Sequence, residues 1–119
     1  MARPGEPLAG DALTAAVEHA DDVRARLLRW MRPFDLLVCP VLPQPALRHG
    51  ESRTPAYGDT YSEIHNLTGW PAAVVRAGTS PDGLPIGVQL VAKPWREDVA
   101  LAAARVVEAA TGGWQAPAL

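Results

Sequence analysis

Residues 71–92 constrain this chain more than any other stretch. "PAAVVRAG" and "IGVQLVA" are short apolar segments joined by "TSPDGLP", in which Asp82 and Gly83 are turn residues. Two such runs around a Gly- and Pro-bearing turn read as paired strands. A second segment, "DLLVC" at 35–39, lies between Pro33 and Pro40. Continuous apolar runs of this length read as strands buried on both faces, within a sheet that helices cover. Three short strands make a poor sheet alone, and the run at 35–39 calls for cover and for neighbours on both edges.

Helical patterns surround these strands. Over residues 11–31, Leu13, Ala16, Val17, Ala20, Val23, Leu27 and Met31 recur at three- and four-residue steps, which places them on one helix face. Asp11 is the expected N-cap and Pro33 the stop. Glu18, Asp22, Arg26 and Arg29 occupy the opposite face. There Asp22 and Arg26 form a favourable pair, while Glu18 and Asp22 repel mildly. His19 falls among these polar positions and reads as a surface residue.

In "TYSEIHNLTG", Thr60 and Glu63 have the spacing of a capping box, and Gly69 suits the left-handed position that ends a helix. The helix is short enough to need tertiary packing. Asn66, near its end, reads as a local cap or backbone partner. In "WREDVALAAARVVEAATGG", Asp98 is the expected N-cap. Val99, Ala102, Ala103, Val106 and Ala110 form the expected apolar stripe, and Gly112 ends the helix. Between the first strand and the short helix, residues 40–59 carry Pro40, Pro43, Pro45, Pro55, Gly50 and Gly58 and read as a long irregular loop. The order is helix, strand, loop, helix, strand, strand, helix, an α/β layout. Residues 1–10 read as a flexible N-terminus, 11–113 as the structured segment and 114–119 as a frayed tail.

Composition narrows the function. The 119 residues are at most one ordinary domain, and 48% are apolar, which disfavours disorder throughout. A formal net charge of −2, with arginines interleaved among acids, argues against a nucleic-acid or anionic-membrane partner. The single cysteine, Cys39, cannot form an internal disulfide, which fits a reducing cytoplasm. The start "MARPGEPLAG" lacks the apolar core of a signal peptide, and no apolar run approaches the ~20 residues of a membrane helix. A soluble cytoplasmic protein is expected. Three histidines and one cysteine show no metal-ligand spacing, and "GTSPDG" is a turn rather than a phosphate loop. No metal and no cofactor are expected. Cys39 reads as a small buried hydrophobe and Gln89 as a polar side chain bonded to backbone within the sheet.

Three spaced blocks, "DLLVCPVLPQPA", "NLTGWPAAVVRAG" and "DGLPIGVQLVAKPWREDVALAAARVVE", together resemble the C-terminal end of the amidase signature family. The likeness runs over about residues 11–113. It implies an α/β C-terminal piece of the amidase signature fold, with short strands of a mixed sheet covered by helices. It also implies amide C–N bond hydrolysis in the complete enzyme. Members of that family use a lysine as base and two serines, one with a cis backbone, in a Gly- and Ser-rich segment whose amides stabilise the oxyanion. These residues contain no such run. The one lysine, Lys93, and the serines Ser52, Ser62 and Ser80 stand in other contexts, so no catalytic residue carries over.

His49 with Ser52, or Ser62 with His65, would also need an orienting acid and an oxyanion site to form a new hydrolytic centre. By resemblance, Asp59, Glu63 and Trp95 approach the acyl side of the substrate cleft, where polar residues favour a smaller or more polar amide. Read without the resemblance, Asp59 and Glu63 cap a helix and Trp95 packs at a helix start. Arg76 departs from a proline common in relatives; if buried it needs a carboxylate partner, expected in the part outside this chain. The leading expectation is therefore a C-terminal amidase fragment, inactive alone. Its expected partners are the missing N-terminal amidase portion or a second copy joined through open sheet edges. The alternatives are one component of a split amidase and a non-catalytic binding or oligomerising module.

Overall fold

The computed structural model describes residues 7, 9–50 and 61–116. The chain divides into two compact units, Met1–Pro33 and Phe34–Leu119.

Among the described residues, the first unit holds α1 (Gly10–Met31). It begins one residue before the expected cap. Ala9 takes the N-cap position without a side-chain bond, and Asp11 lies inside the first turn, where a carboxylate complements the helix dipole. The Asp11 Oδ1 atom accepts from the Ala12 amide at 2.9 Å. The expected Asp22–Arg26 pair forms: Arg26 Nε donates to Asp22 at 2.9 Å. Asp21 and Arg24 add a second ion pair at 2.7 Å. Such i,i+3 and i,i+4 pairs support a helix by a few tenths of a kcal/mol each. Leu13 and Val17, on the expected apolar face, are both more than half exposed.

The second unit contains β1 (Leu36–Pro40), α2 (Glu63–Thr68), β2 (Ala72–Thr79), β3 (Pro85–Ala92) and α3 (Glu97–Thr111). Within this chain the strands form an antiparallel sheet in the order β1-β3-β2. β3 is therefore central, and its end from Gln89 to Ala92 is fully buried. Leu36 pairs with Ala92 and Pro40 with Val88 on one side. On the other side Ala72 pairs with Val91 and Thr79 with Pro85. The expected hairpin joins β2 to β3. Ser80 N donates to the Leu84 carbonyl at 2.8 Å, and Gly83, at φ 83°, donates to Ser80 O at 2.9 Å. Ser80 Oγ accepts from the Leu84 amide at 3.1 Å, so this serine is a turn constituent. The register shifts between Arg76 and Gly78, which makes Ala77 the extra residue of a bulge. At Gly87, an added Cβ would stand 3.3 Å from Val74 Cγ1, so the close approach of β2 and β3 there suits glycine.

Three expectations are corrected here. β1 is not buried on both faces: it is an edge of this sheet, and Val38 is 56% exposed although its cross-strand partner Leu90 is 1% exposed. α3 packs across β2 and β3 and not appreciably on β1, so only part of the sheet is covered. The apolar stripe of α3 is also rotated from the expected one. Ala100 and Ala104 are the buried positions, whereas Ala102 and Val106 are exposed. The helix is apolar almost all round, so periodicity does not single out a face; the sheet selects the smallest side chains, which permit the closest approach. Arg96, not Asp98, takes the N-cap position, while Gly112 at φ 81° ends the helix as expected. Likewise Gly69, at φ 67°, ends α2. Ser62 takes the N-cap position of α2, and Thr60 of the expected capping box lies outside the described residues.

Arg76 finds its partners inside the chain, and they are not carboxylates. One guanidinium nitrogen donates to the carbonyls of Thr111 and Gly113, each at 3.3 Å, and the other to Thr79 Oγ1 at 2.5 Å. Thr111 Oγ1 in turn donates to the Arg76 carbonyl at 2.9 Å. The last carbonyls of a helix lack intrahelical donors and carry its partial negative charge, so a cation here satisfies both needs. This clamp ties the end of α3 to β2. Replacing Arg76 with Leu leaves half-buried carbonyls without donors and is expected to cost about 2 kcal/mol. Arg76→Lys, which keeps the charge but not the fork, should fall between. Denaturant unfolding followed by circular dichroism measures both.

Candidate functional site

Antiparallel pairing brings polar and polarisable side chains to one face of the sheet. Cys39 stands opposite Gln89, and Gln89 opposite Val74. Directly paired residues project to the same face. α2 then supplies His65, whose Nε2 lies 3.9 Å from Cys39 Sγ. Gln89 Nε2 donates to the Pro40 carbonyl at 3.0 Å, which meets the expectation of a backbone partner for this side chain. His65 is 8% exposed, and its Nδ1 is buried with no hydrogen-bond partner. The α2 backbone holds this residue in place: Gly69 N donates to the His65 carbonyl at 2.8 Å, and Thr68 Oγ1 to the same carbonyl at 3.2 Å.

A thiol beside an imidazole invites comparison with a nucleophilic cysteine, and the electrostatics oppose it. Burial pushes the Cys39 thiol up, with a Gln89 hydrogen bond acting weakly the other way. Burial pushes the His65 imidazole down. A thiolate–imidazolium pair needs the reverse of both shifts. The two groups therefore meet as neutral thiol and neutral imidazole, suited to packing. Cys39 is half-buried.

Beyond Pro40 the chain turns into a cleft of about 460 Å³, lined by Pro40, Leu42, Gln44, Tyr61, Ile86 and Gly87 among others. Its walls are mostly apolar, and the Gln89–Pro40 bond fixes one rim to the central strand. Such a surface suits the apolar part of a ligand. Among the described residues no group of three or more His, Cys, Asp or Glu stands together to hold a metal ion.

The expected site residues fall in different places. Asp59 lies outside the described residues, as does Ser52. Glu63 is exposed in the first turn of α2. Trp95 is 88% exposed in the turn before α3, which corrects the expectation that it packs at a helix start. Neither Glu63 nor Trp95 lines the cleft. Asn66 and His49 are exposed or partly so, and neither lines the cleft. His65 points toward Cys39 while Ser62 takes the N-cap position of the same helix, so the arrangement does not favour a Ser62–His65 catalytic pair. Sequence reasoning does not find the cleft, the Cys39–His65 contact or the buried Trp70. Only strand register brings Cys39 and Gln89 together, and no local pattern reports register between strands far apart in sequence. Trp70 has one available signal, its place between the helix-ending Gly69 and Pro71 ahead of the strand.

Comparison with known proteins gives this architecture a family. A family model described as Amidase matches residues 3–101. A fatty acid amide hydrolase of Arabidopsis thaliana is 37% identical over 78 residues, covering 64% of this chain and 13% of that protein. Fatty-acid amide hydrolase 2-A of Danio rerio is 35% identical over 101 residues, covering 85% of this chain and 19% of its own length. Among solved structures, 6-aminohexanoate cyclic dimer hydrolase superposes with a TM-score of 0.73 at 30% identity, over 87% of this chain and 25% of that one. The chain belongs to the amidase family. It spans less than a fifth of the length of these curated relatives.

Burial of His65 has a consequence for pH. Its folded-state pKa lies below the ordinary value of 6.5, so the unfolded chain takes up this proton first. The stability associated with neutral His65 is complete above about pH 6.5 and declines as the pH falls from there through the folded pKa. His65→Leu removes a buried imidazole whose Nδ1 has no partner, so near-neutral stability should stay within about 1 kcal/mol of the parent. Its difference from the parent should then shift in favour of the variant on acidification. Urea midpoints at a series of pH values check this, and parallel profiles would refute it.

Proposed function

We propose that this chain is the C-terminal scaffold of an amide-hydrolysing enzyme whose attacking serine, relay serine and base lie on polypeptide beyond these residues. One observation carries the reading: the chain matches the family model over residues 3–101 yet spans only 13–19% of these curated relatives. Two features of the residues support it. Ser80 is buried and its Oγ accepts the Leu84 amide within the hairpin turn, the role of a turn constituent. The one close thiol–imidazole contact among the described residues is between neutral groups. In this reading the β-sheet continues a larger sheet, and the cleft beside Pro40 contributes to its packing or to its substrate wall. By family likeness, Asp59 and Glu63 belong to the acyl side of the substrate cleft, which favours a small or polar amide.

The test is a chimera in which this chain replaces the matched quarter of 6-aminohexanoate cyclic dimer hydrolase. The chain alone should hydrolyse that cyclic amide no faster than buffer. The chimera should turn it over, and Ser62→Ala or Ser80→Ala in the grafted portion should change kcat less than about threefold. Hydrolysis by the chain alone, abolished by either serine replacement, would overturn the proposal.

A further inference from the structure

We propose that Trp95 is a preorganised docking anchor, displayed for an apolar pocket on the portion of an amidase domain that lies outside this chain. This rests on the reading of the chain as part of a larger amidase. Lys93, Pro94, Trp95 and Arg96 form a turn closed by a bond from Arg96 N to the Lys93 carbonyl at 3.1 Å. Proline stands at the second position, and the third has φ 64°. That is the type II arrangement, whose third position ordinarily takes glycine, because a side chain there crowds the backbone. Trp95 is the sole non-glycine residue with positive φ among the described residues. It is also 88% exposed, the most exposed of the large hydrophobic side chains among them. The fold thus bears a backbone penalty and a hydration penalty at one residue and recovers neither by packing in this chain.

The turn runs directly into α3. Arg96 grips Asp98 through two nitrogens, at 2.9 and 3.0 Å, and the Arg96 carbonyl accepts the first amide bonds of α3, from Val99 and Ala100. A large aromatic has few rotatable bonds for the area it buries, a property of interface hot spots. The cleft beside Pro40 does not include it. The occupant that matches is the remainder of the amidase, since the relatives carry over four times as much polypeptide as this chain spans.

The experiment uses the same chimera and the full chain alone, with Trp95→Asn, which tolerates positive φ, Trp95→Gly, which relieves it, and Trp95→Phe. In the chimera, Trp95→Asn and Trp95→Gly should lower the ligand-free melting midpoint by about 2 °C or more, and Trp95→Phe should recover at least half of that loss. In the chain alone, Trp95→Gly should melt no lower than the parent. If the parent chimera hydrolyses its amide but the Asn and Gly variants melt at or above it, the anchor is wrong and the wider reading stands. The same holds if only KM moves, which marks a substrate contact. If the parent chimera neither folds nor turns over, both fall together.

Discussion

The second unit of this molecule depends on one strand. β3 is paired along both edges, and its last four residues, Gln89 to Ala92, are buried. Each fully buried aliphatic side chain there is worth about 1.5–3 kcal/mol relative to exposure. The other elements are placed by reference to it: β2 through a tight hairpin, β1 by antiparallel pairing along its other edge, α3 by packing over β2 and β3. Arg76 then fastens the far end of α3 to β2 through carbonyls the helix cannot satisfy itself. A sheet of three strands with one covered centre and two partly covered edges is a marginal object. That marginality follows from how much neighbouring structure the central strand has and how little the edges have.

The same strand fixes the polar cluster. Gln89 cannot leave its amide unpaired inside the sheet, and it donates to Pro40 at the end of β1. This bond sets the rim of the cleft where the chain leaves the sheet. Cys39, its register partner, thereby meets His65 from α2. Low polarity around these groups holds both in neutral form. The arrangement gives a docking point for a helix of under two turns and not a nucleophile, because activation would require a cation near the thiol.

What can be read from sequence follows from locality. The hairpin, the left-handed caps at Gly69 and Gly112 and the Asp22–Arg26 pair depend on residues within a few positions of each other, and their patterns are legible. The face of α3 and the exposure of β1 depend on which neighbours are present. "AAARVVEAA" offers apolar residues in every direction, so tertiary contact alone selects Ala100 and Ala104. "DLLVC" reads as doubly buried because a continuous apolar run does not by itself distinguish an edge strand from a central one. For the site, Asp59, Glu63 and Trp95 all come from family likeness rather than from any pattern, and neither Glu63 nor Trp95 lines the cleft beside Pro40. Arg76 departs from expectation for a related reason: a helix terminus offers carbonyl acceptors that no acidic residue in the sequence announces.

Two of the exposed apolar side chains share a property that sets them apart from ordinary surface scatter. Val38 lies on the edge strand β1, and Val74 on the edge strand β2. Each stands directly opposite a buried residue of β3, Leu90 and Gln89 respectively. Side chains one strand away from a buried core, on the same face, are the positions that the next layer or strand would cover. An evolved surface that had to face water there would carry lysine, a bulge or proline at these edges. β2 carries a bulge at Ala77, beyond Val74, and β1 ends in Pro40, while Val38 and Val74 themselves remain aliphatic. In the proposed reading, edge positions that keep core composition are where polypeptide of the kind carried by the longer relatives would pack, since the chain spans under a fifth of their length.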